Sequence, residues 1–247
     1  MNDTCRDMDD YVRNYRSLPF EPIQSLYRRK LVLRQIARFE PNRVLEIGCG
    51  HLPIFTDLPD EVEVTVVEPT KKFGENARRL GKNRKNIKIV EGFVESVELG
   101  AVNFDMVILS CLLHEVPDPP KVLARVHDFC QPQTVVHVNV PNAFSLHRLL
   151  AVAMGICSTP HEQSGTQRRM QQRNQTYDRL SLASELSAAG FVIIDEGSMF
   201  VKPFTHMQMQ ALVDSSFMTP AMLDGFDELA ASLPNFGSEI WANVRVK

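Results

Sequence analysis

The stretch that decides the fold is VLEIGCGHLP, residues 44–53. Its apolar run is interrupted by Glu46 and ends in Gly48-Cys49-Gly50. A short branched apolar run is typical of a buried strand. Two glycines one residue apart let a backbone approach a ligand without interference from Cβ atoms, and N–H groups that open a following helix favour a polar ligand. The stretch therefore predicts a strand followed by a ligand-binding turn.

Strand and helix patterns alternate on both sides of this stretch, which predicts an α/β, doubly wound, mainly parallel sheet. Helices are expected at 10–18, 23–39, 71–82, 119–130, 144–154 and 178–189. Strands are expected at 43–47, 62–67, 87–90, 104–110, 134–140, 191–201 and 238–247. We expect one domain, with a helical lead or lid at 1–40, a cofactor-binding core at 41–201, a helical insertion at 202–237 and the last strand at 238–247.

The bulk composition argues against several classes of protein. The chain has 247 residues and a formal net charge of −3, whereas general nucleic-acid binders are usually strongly basic. The most apolar later segment, 134–157, contains His, Asn, Pro and Arg residues, so it is not expected to span a membrane. Five cysteines without a CxxC pair favour a reduced, cytoplasmic compartment, and the scattered histidines predict no metal site.

Chemically distinctive residues follow several of the predicted strands. Glu68 ends the second strand, twenty residues after Gly48, where a carboxylate can accept hydrogen bonds from both hydroxyls of a ribose. A dinucleotide fingerprint would place a third glycine where this chain has Pro53. The pattern therefore favours a nucleoside ligand without a diphosphate and disfavours a nicotinamide-dependent oxidoreductase.

On these residues the sequence resembles the class I S-adenosylmethionine-dependent methyltransferases, with matching elements in the expected order over roughly residues 40–200. The terminal hairpin, 191–201 with 238–247, suits the reversed last strand of that Rossmann-like, seven-stranded fold. Three further stretches, LPFEPIQSLYRRKLVL (18–33), VPNAFSLHRLLAVAMG (140–155) and KPFTHMQM (202–209), resemble methyltransferases of small-molecule or surface-saccharide biosynthesis. The elements that match the wider class I family are VLEIGCG (44–50), VVEP (66–69), EGFVES (91–96), FDMVILSCLLHEV (104–116) and VVHVNVPNA (135–143).

The resemblance implies S-adenosylmethionine as cofactor and S-adenosylhomocysteine as product. It implies that the glycines pack against methionine and ribose, that Glu46 orders the amino-acid end, that Glu68 binds the ribose hydroxyls and that the carbonyl of Ser110 meets the amino group. An apolar surface after the third strand would flank adenine, and the lead segment would close over the methionine end. The implied cofactor-binding residues are Tyr11, Tyr15, Glu46, Gly48, Cys49, Gly50, Glu68, Pro69, Phe93, Val94, Ser110, Cys111 and Leu112.

Methyl transfer to a hydroxyl benefits from a base near its proton, whereas an amine with a free lone pair needs only positioning and desolvation. His114 is the first candidate base and His147 the second. Related enzymes often carry Glu-His after the fourth strand, but this chain has the reverse order, His114-Glu115. Tyr11, Tyr15 and Phe20 are the candidate lid residues.

We expect the acceptor to be a sugar-like or natural-product small molecule, methylated on oxygen or nitrogen. Neither nucleic acid nor membrane is an expected partner, and a homodimer remains open. One alternative is an RNA methyltransferase that uses the basic residues of 71–88. Another is a non-catalytic partner protein that binds the cofactor.

Overall fold

The computed structural model describes residues 18–100, 102–163 and 175–247. The helix expected at 10–18 lies almost entirely outside these residues. Seven strands are present among them: β1 (Arg43–Ile47), β2 (Glu63–Glu68), β3 (Ile87–Glu91), β4 (Met106–Ser110), β5 (Val135–Pro141), β6 (Phe191–Met199) and β7 (Glu239–Val246). The helices are α1 (Glu21–Phe39), α2 (Lys71–Leu80), α3 (Pro119–Asp128), α4 (Leu146–Ala153), α5 (Arg179–Ala188), α6 (His206–Asp214) and α7 (Pro220–Ser232).

The strands form one sheet in the order β3-β2-β1-β4-β5-β7-β6. Strands β1 to β5 are parallel, and β7 runs antiparallel between β5 and β6. The chain reverses its direction of winding between β1 and β4, which is the position where sheets of this kind bind ligands. The predicted doubly wound sheet with a reversed last strand is confirmed.

Alternation along the strands supplies an apolar core on each face of the sheet. One core packs β1, β4, β5 and β7 residues such as Leu45 and Val138 against α3 and α5. The other packs Val44, Val66 and Ile108 against α1 and α2. A third cluster joins the start of α1 to α6 and α7 through Phe20 and Phe200. Helix α1 therefore contacts both the sheet and the C-terminal helices.

Two features refine the expectations from sequence. The predicted helical insertion at 202–237 consists of two helices, α6 and α7, each begun by a threonine whose side chain accepts a hydrogen bond from the helix backbone. A 3-10 helix, Ile54–Asp57, follows the glycine turn and was not predicted, because its segment carries no helical periodicity. Among the described residues, no helix combines the length and apolar character needed to cross a bilayer.

Candidate functional site

The glycine turn lies at the carboxyl end of β1, next to the reversal point of the sheet. Gly48 and Gly50 have φ angles of 77° and 55°, a region that side-chain-bearing residues rarely adopt. The Gly48 N–H donates to the carbonyl of Val67 at 2.8 Å, which attaches the turn to β2. A Cβ placed on Gly50 would meet nothing within 4 Å, so open space lies in front of this backbone. The predicted turn is present in a form that a ligand can approach.

The Glu68 carboxylate lies beneath the turn and is 3% exposed. Its Oε2 accepts from the N–H of Cys49 at 3.0 Å and of Gly50 at 3.4 Å, and its Oε1 accepts from the N–H of Thr70 at 2.8 Å. Burial raises the pKa of this carboxyl, while the backbone donors oppose that shift. The Cys49 thiol also lies 3.6 Å from Oε2. Because each carboxylate oxygen can accept about two hydrogen bonds, the position left for a further donor such as a ribose hydroxyl is on Oε1, which accepts from the N–H of Thr70.

Glu46 lies on the same side of the sheet but is directed at the segment after the turn. Both of its carboxylate oxygens accept from the N–H of Ile54, at 3.0 and 2.9 Å. Burial raises its pKa to about 8, which the hydrogen bond to Ile54 and the charge of Arg29 only partly oppose. The structure therefore gives Glu46 a part in holding this segment.

The end of β4 forms the next wall of the site. The positive φ angle of Cys111, 57°, turns the chain sharply after Ser110. The N–H of Cys111 donates to the carbonyl of Asn139 at 2.9 Å. Leu112 Cδ1 lies 3.7 Å from the Cβ position of Gly48, so the β1 and β4 turns are neighbours. Burial raises the pKa of the Cys111 and Cys49 thiols, which makes either an unsuitable nucleophile.

The loop after β3 supplies an exposed aromatic ring at the same edge of the sheet. Phe93 is 39% exposed, whereas its neighbour Val94 is buried. The N–H of Gly92 donates to the carbonyl of Glu68 at 3.1 Å, and Pro69 is half-buried beside it. Glu68 ends β2, Ser110 ends β4, and Phe93 follows β3, so these predicted residues lie at one edge of the sheet beside the glycine turn that follows β1.

The candidate bases have different environments. His114 is 2% exposed, and its Nε2 lies 3.5 Å from a carboxylate oxygen of Glu115. His147 is half-buried in the first turn of α4. Their catalytic roles stay predictions.

The candidate lid residues are only partly described. Tyr11 and Tyr15 lie outside the described residues. Phe20 is fully buried, packs against Phe200 at a ring-centroid distance of 6.0 Å and donates its N–H to Gln210. The prediction that Phe20 closes over the cofactor is therefore wrong, because its ring belongs to the core between α1 and α6.

Two arginines of α1 were not singled out from the sequence. Arg28 is buried and forms hydrogen bonds with Glu21 and with both carboxylate oxygens of Glu239, the closest at 2.7 Å. Asn139 donates to the same Glu239 carboxylate at 2.8 Å. Arg29 instead reaches the segment after the glycine turn. The sequence does not indicate which of two adjacent arginines contacts Glu239 and which contacts the segment after the glycine turn, because that depends on tertiary packing.

The basic stretch 71–88 lies on α2, β3 and the loop that joins them. Three of its arginines form ion pairs or hydrogen bonds within the protein: Arg78 with Glu91, Arg79 with Asn76 and Arg84 with Asp60. This patch is at the outer edge of the sheet, since β3 is an edge strand.

Comparison with known proteins gives one family match. A family model described as a methyltransferase domain matches residues 21–196. This range includes α1, the glycine turn and most of the sheet. No curated protein sequence matches the chain significantly.

Solved structures similar to this chain include two methyltransferases. The Burkholderia thailandensis 1,6-didemethyltoxoflavin-N1-methyltransferase, solved with 1,6-didemethyltoxoflavin and S-adenosylhomocysteine, has 17% identity and a TM-score of 0.61 over 97% of this chain and 87% of that one. The plantazolicin methyltransferase BamL, solved with a triazolic analogue and S-adenosylhomocysteine, has 14% identity and a TM-score of 0.60 over 97% and 96%.

A third similar structure is the [4+2]-cyclase SpnF, with 15% identity and a TM-score of 0.58 over 88% of this chain and 80% of that one. At these identities the likeness establishes the fold of the chain.

Proposed function

Because the chain belongs to the methyltransferase-domain family, we propose that it transfers a methyl group from S-adenosylmethionine to an oxygen or nitrogen of a small-molecule acceptor. The observation that carries this proposal is the Gly48–Gly50 turn placed over the buried Glu68 carboxylate at the sheet's reversal point.

The described residues fit the cofactor. The positive φ angles and the open space at Gly50 suit a ligand that lies against the backbone. Glu68 keeps acceptor capacity for a ribose hydroxyl, and the exposed Phe93 ring offers an apolar surface to adenine. The Ser110 carbonyl and Leu112 would face the methionine part. When bound, S-adenosylmethionine supplies a methyl group on a positively charged sulfur.

On the acceptor side, the protein's main contribution is to hold the nucleophile in line and to exclude water. His114 and His147 are the proposed proton acceptors for a hydroxyl substrate. His114 follows β4 closely and is buried, so its use as a base requires the acceptor to reach it from the cofactor side. The segments around α4, α6 and α7 would shape the acceptor pocket.

A small-molecule acceptor is favoured over RNA by two observations. The net charge is −3, and several arginines of the 71–88 stretch are engaged with protein groups. The toxoflavin and plantazolicin enzymes, which share this fold, are both named for small natural products. We place the enzyme in the cytoplasm because its cysteine pattern suits a reduced compartment.

The proposal is tested by titrating the purified protein with S-adenosylhomocysteine in a calorimeter and then assaying transfer of labelled methyl groups into a panel of small phenols, amines and sugar derivatives. We expect saturable binding and labelled product in at least one class. Absence of binding would overturn the cofactor assignment. The second assay is necessary because a cyclase shares this fold, so the fold alone does not specify methyl transfer. Binding without turnover on any acceptor would contradict the proposed methyl transfer and favour the non-catalytic alternative.

A further inference from the structure

The segment that follows the glycine turn, 51–57, is attached to the protein through its carbonyl groups. We call it the post-glycine segment. The carbonyl of His51 accepts from Asn76 Nδ2 at 2.7 Å. The next two carbonyls, of Leu52 and Pro53, accept from the guanidinium of Arg29 at 2.6 and 3.0 Å. Three consecutive backbone oxygens are thus held by side chains that lie outside the segment.

Arg29 contacts four residues of this segment. Besides the two carbonyls, its Nη2 donates to Thr56 Oγ1 at 2.7 Å and its Nε pairs with the Asp57 carboxylate. The Arg29 side chain is only 14% exposed although it starts from a surface helix. A planar guanidinium with five N–H donors can satisfy several acceptors at once, which a lysine ammonium cannot do in the same geometry.

Glu46 holds the same segment from the sheet side, through its two contacts with the Ile54 N–H. Pro53, whose carbonyl Arg29 holds, directly precedes Ile54; its φ is −53° and its ψ 145°, and its ring fixes φ. The sequence departs here from a glycine-rich loop, since Pro53 stands where a dinucleotide loop has its third glycine. The post-glycine segment is therefore held by side chains from α1, α2 and β1 and by the fixed φ of its proline.

We infer that Arg29 is a positioning residue for the cofactor: by fixing Leu52 and Pro53 it sets the shape of the Gly48–Gly50 turn that receives S-adenosylmethionine. The inference rests on the proposed function in taking that nucleoside as the ligand of the turn. Arg29 does not touch the reacting atoms. A turn that is already in its binding shape loses less conformational freedom when the ligand arrives, which raises affinity.

The chain offers a matched control in Arg84. Its side chain is also 14% exposed, and it also donates to backbone carbonyls of this region, namely those of Phe55, Leu58 and Pro59. It contacts neither Leu52 nor Pro53. Removal of Arg84 should therefore disturb the far end of the 3-10 helix and leave the glycine turn in place.

The experiment compares the affinity of the full chain for S-adenosylhomocysteine in the wild type, Arg29→Ala, Arg29→Lys and Arg84→Ala, with urea unfolding of each. We expect Arg29→Ala to weaken binding about tenfold, a typical consequence of losing several charge-assisted hydrogen bonds. Arg29→Lys should recover only part of this loss, and Arg84→Ala should stay within about twofold of the wild type despite a comparable loss of stability.

The outcomes separate the two proposals. If the wild type fails to bind, the proposed function falls. If the wild type binds and Arg29→Ala binds equally well, or Arg84→Ala weakens binding as much, the positioning role is wrong while the function stands. Should Arg29→Ala fail to fold, Arg29→Lys decides: wild-type affinity would overturn the inference. Weaker binding by Arg29→Lys, together with faster amide exchange confined to residues 48–57, would support the inference.

Discussion

Glu68 has a structural role in the glycine turn beside its proposed role in binding the ribose. Its three backbone donors come from the glycine turn and from Thr70, so it fixes the turn relative to β2 before any ligand arrives. The same arrangement leaves acceptor capacity toward the site. The position of Glu68 at a strand end made its importance predictable from the sequence. Its contacts with Cys49 and Gly50 were not predictable, because they depend on how the turn folds back.

Replacement Glu68→Gln is expected to weaken S-adenosylhomocysteine binding by about tenfold or more, since an amide NH₂ would face backbone N–H groups and a charged acceptor would be lost. Calorimetric titration measures the change. Glu63→Gln, at the exposed start of the same strand, is the matched control and should bind as the wild type does. An unchanged affinity for Glu68→Gln would contradict the ribose assignment.

Glu46 predicts a pH dependence of stability. Burial raises its pKa to about 8, above the value of an unfolded glutamate, so the native state binds the extra proton between those two values. The free energy of unfolding should therefore contain a contribution that is present at low pH and lost as the pH rises toward 8. The glutamine in Glu46→Gln is neutral at every pH. The unfolding free energy of this variant relative to that of the wild type should therefore increase by a few kcal/mol between pH 5 and 9.

Urea unfolding at several pH values measures this difference. Glu63→Gln again serves as the control, because its carboxylate is exposed and should show a difference from the wild type that does not grow with pH. A pH-independent difference for Glu46→Gln would show that Glu46 is ionised throughout.

At the scale of elements, α1 links parts of the molecule that are far apart in the chain. Arg28 reaches the start of β7, Arg29 reaches the post-glycine segment, and Arg34 reaches Asp227 on α7. The helix itself was predicted from its apolar spacing, and it begins at Glu21, two residues before the expected start, with Pro22 in its first turn. These three of its four arginines look alike in the sequence and differ only in what packs opposite them.

The Arg28–Glu239 pair is the buried link between α1 and β7. Burial alone would raise the pKa of Glu239, but Arg28 and the neighbouring amides lower it, so the pair is ionised. Arg28→Met should cost about 3–5 kcal/mol of unfolding free energy because it leaves a buried carboxylate without its partner. The double variant with Glu239→Gln should recover part of that loss.

A double-mutant cycle by urea unfolding measures the coupling. As a control, Arg78→Ala removes an ion pair with Glu91 in which both side chains are exposed, at 46% and 44%, and it should cost less than about 1 kcal/mol. Additive losses for Arg28→Met and Glu239→Gln would contradict a direct interaction between the two charges.

At the scale of the whole molecule, the site is assembled from the ends of β1 to β4, and the sequence predicts this because parallel strands bring their carboxyl ends to one edge. The strands were identifiable from their β-branched runs. The reversed hairpin of β6 and β7 was also expected, through the family resemblance. What the sequence could not supply is the polar contacts between β5, β7 and α1. The hydrogen-bond partners of single polar residues inside apolar strands, such as His137, Asn139 and Asn243, cannot be predicted from the sequence.

His137 makes the stability of the whole chain sensitive to acid. Its Nδ1 is 2.8 Å from Asn243 Oδ1, and Asn243 donates to Gln35, so the chain of contacts joins β5, β7 and α1. Burial lowers the pKa of His137 to about 4, although the bond to Asn243 opposes the shift. Between about pH 6.5 and pH 4 the unfolded chain therefore binds a proton that the native protein does not, and stability falls as the pH falls through that range.

We expect His137 to remove about 3 kcal/mol of unfolding free energy between pH 7 and pH 4, from a shift of roughly two and a half pKa units. In His137→Gln, which retains a donor for Asn243 and has no charge to gain, this part of the pH dependence should be absent. His127→Gln, on the exposed face of α3, should keep the wild-type slope. Equal slopes for the wild type and His137→Gln in urea unfolding would mean that His137 takes up its proton without unfolding the sheet.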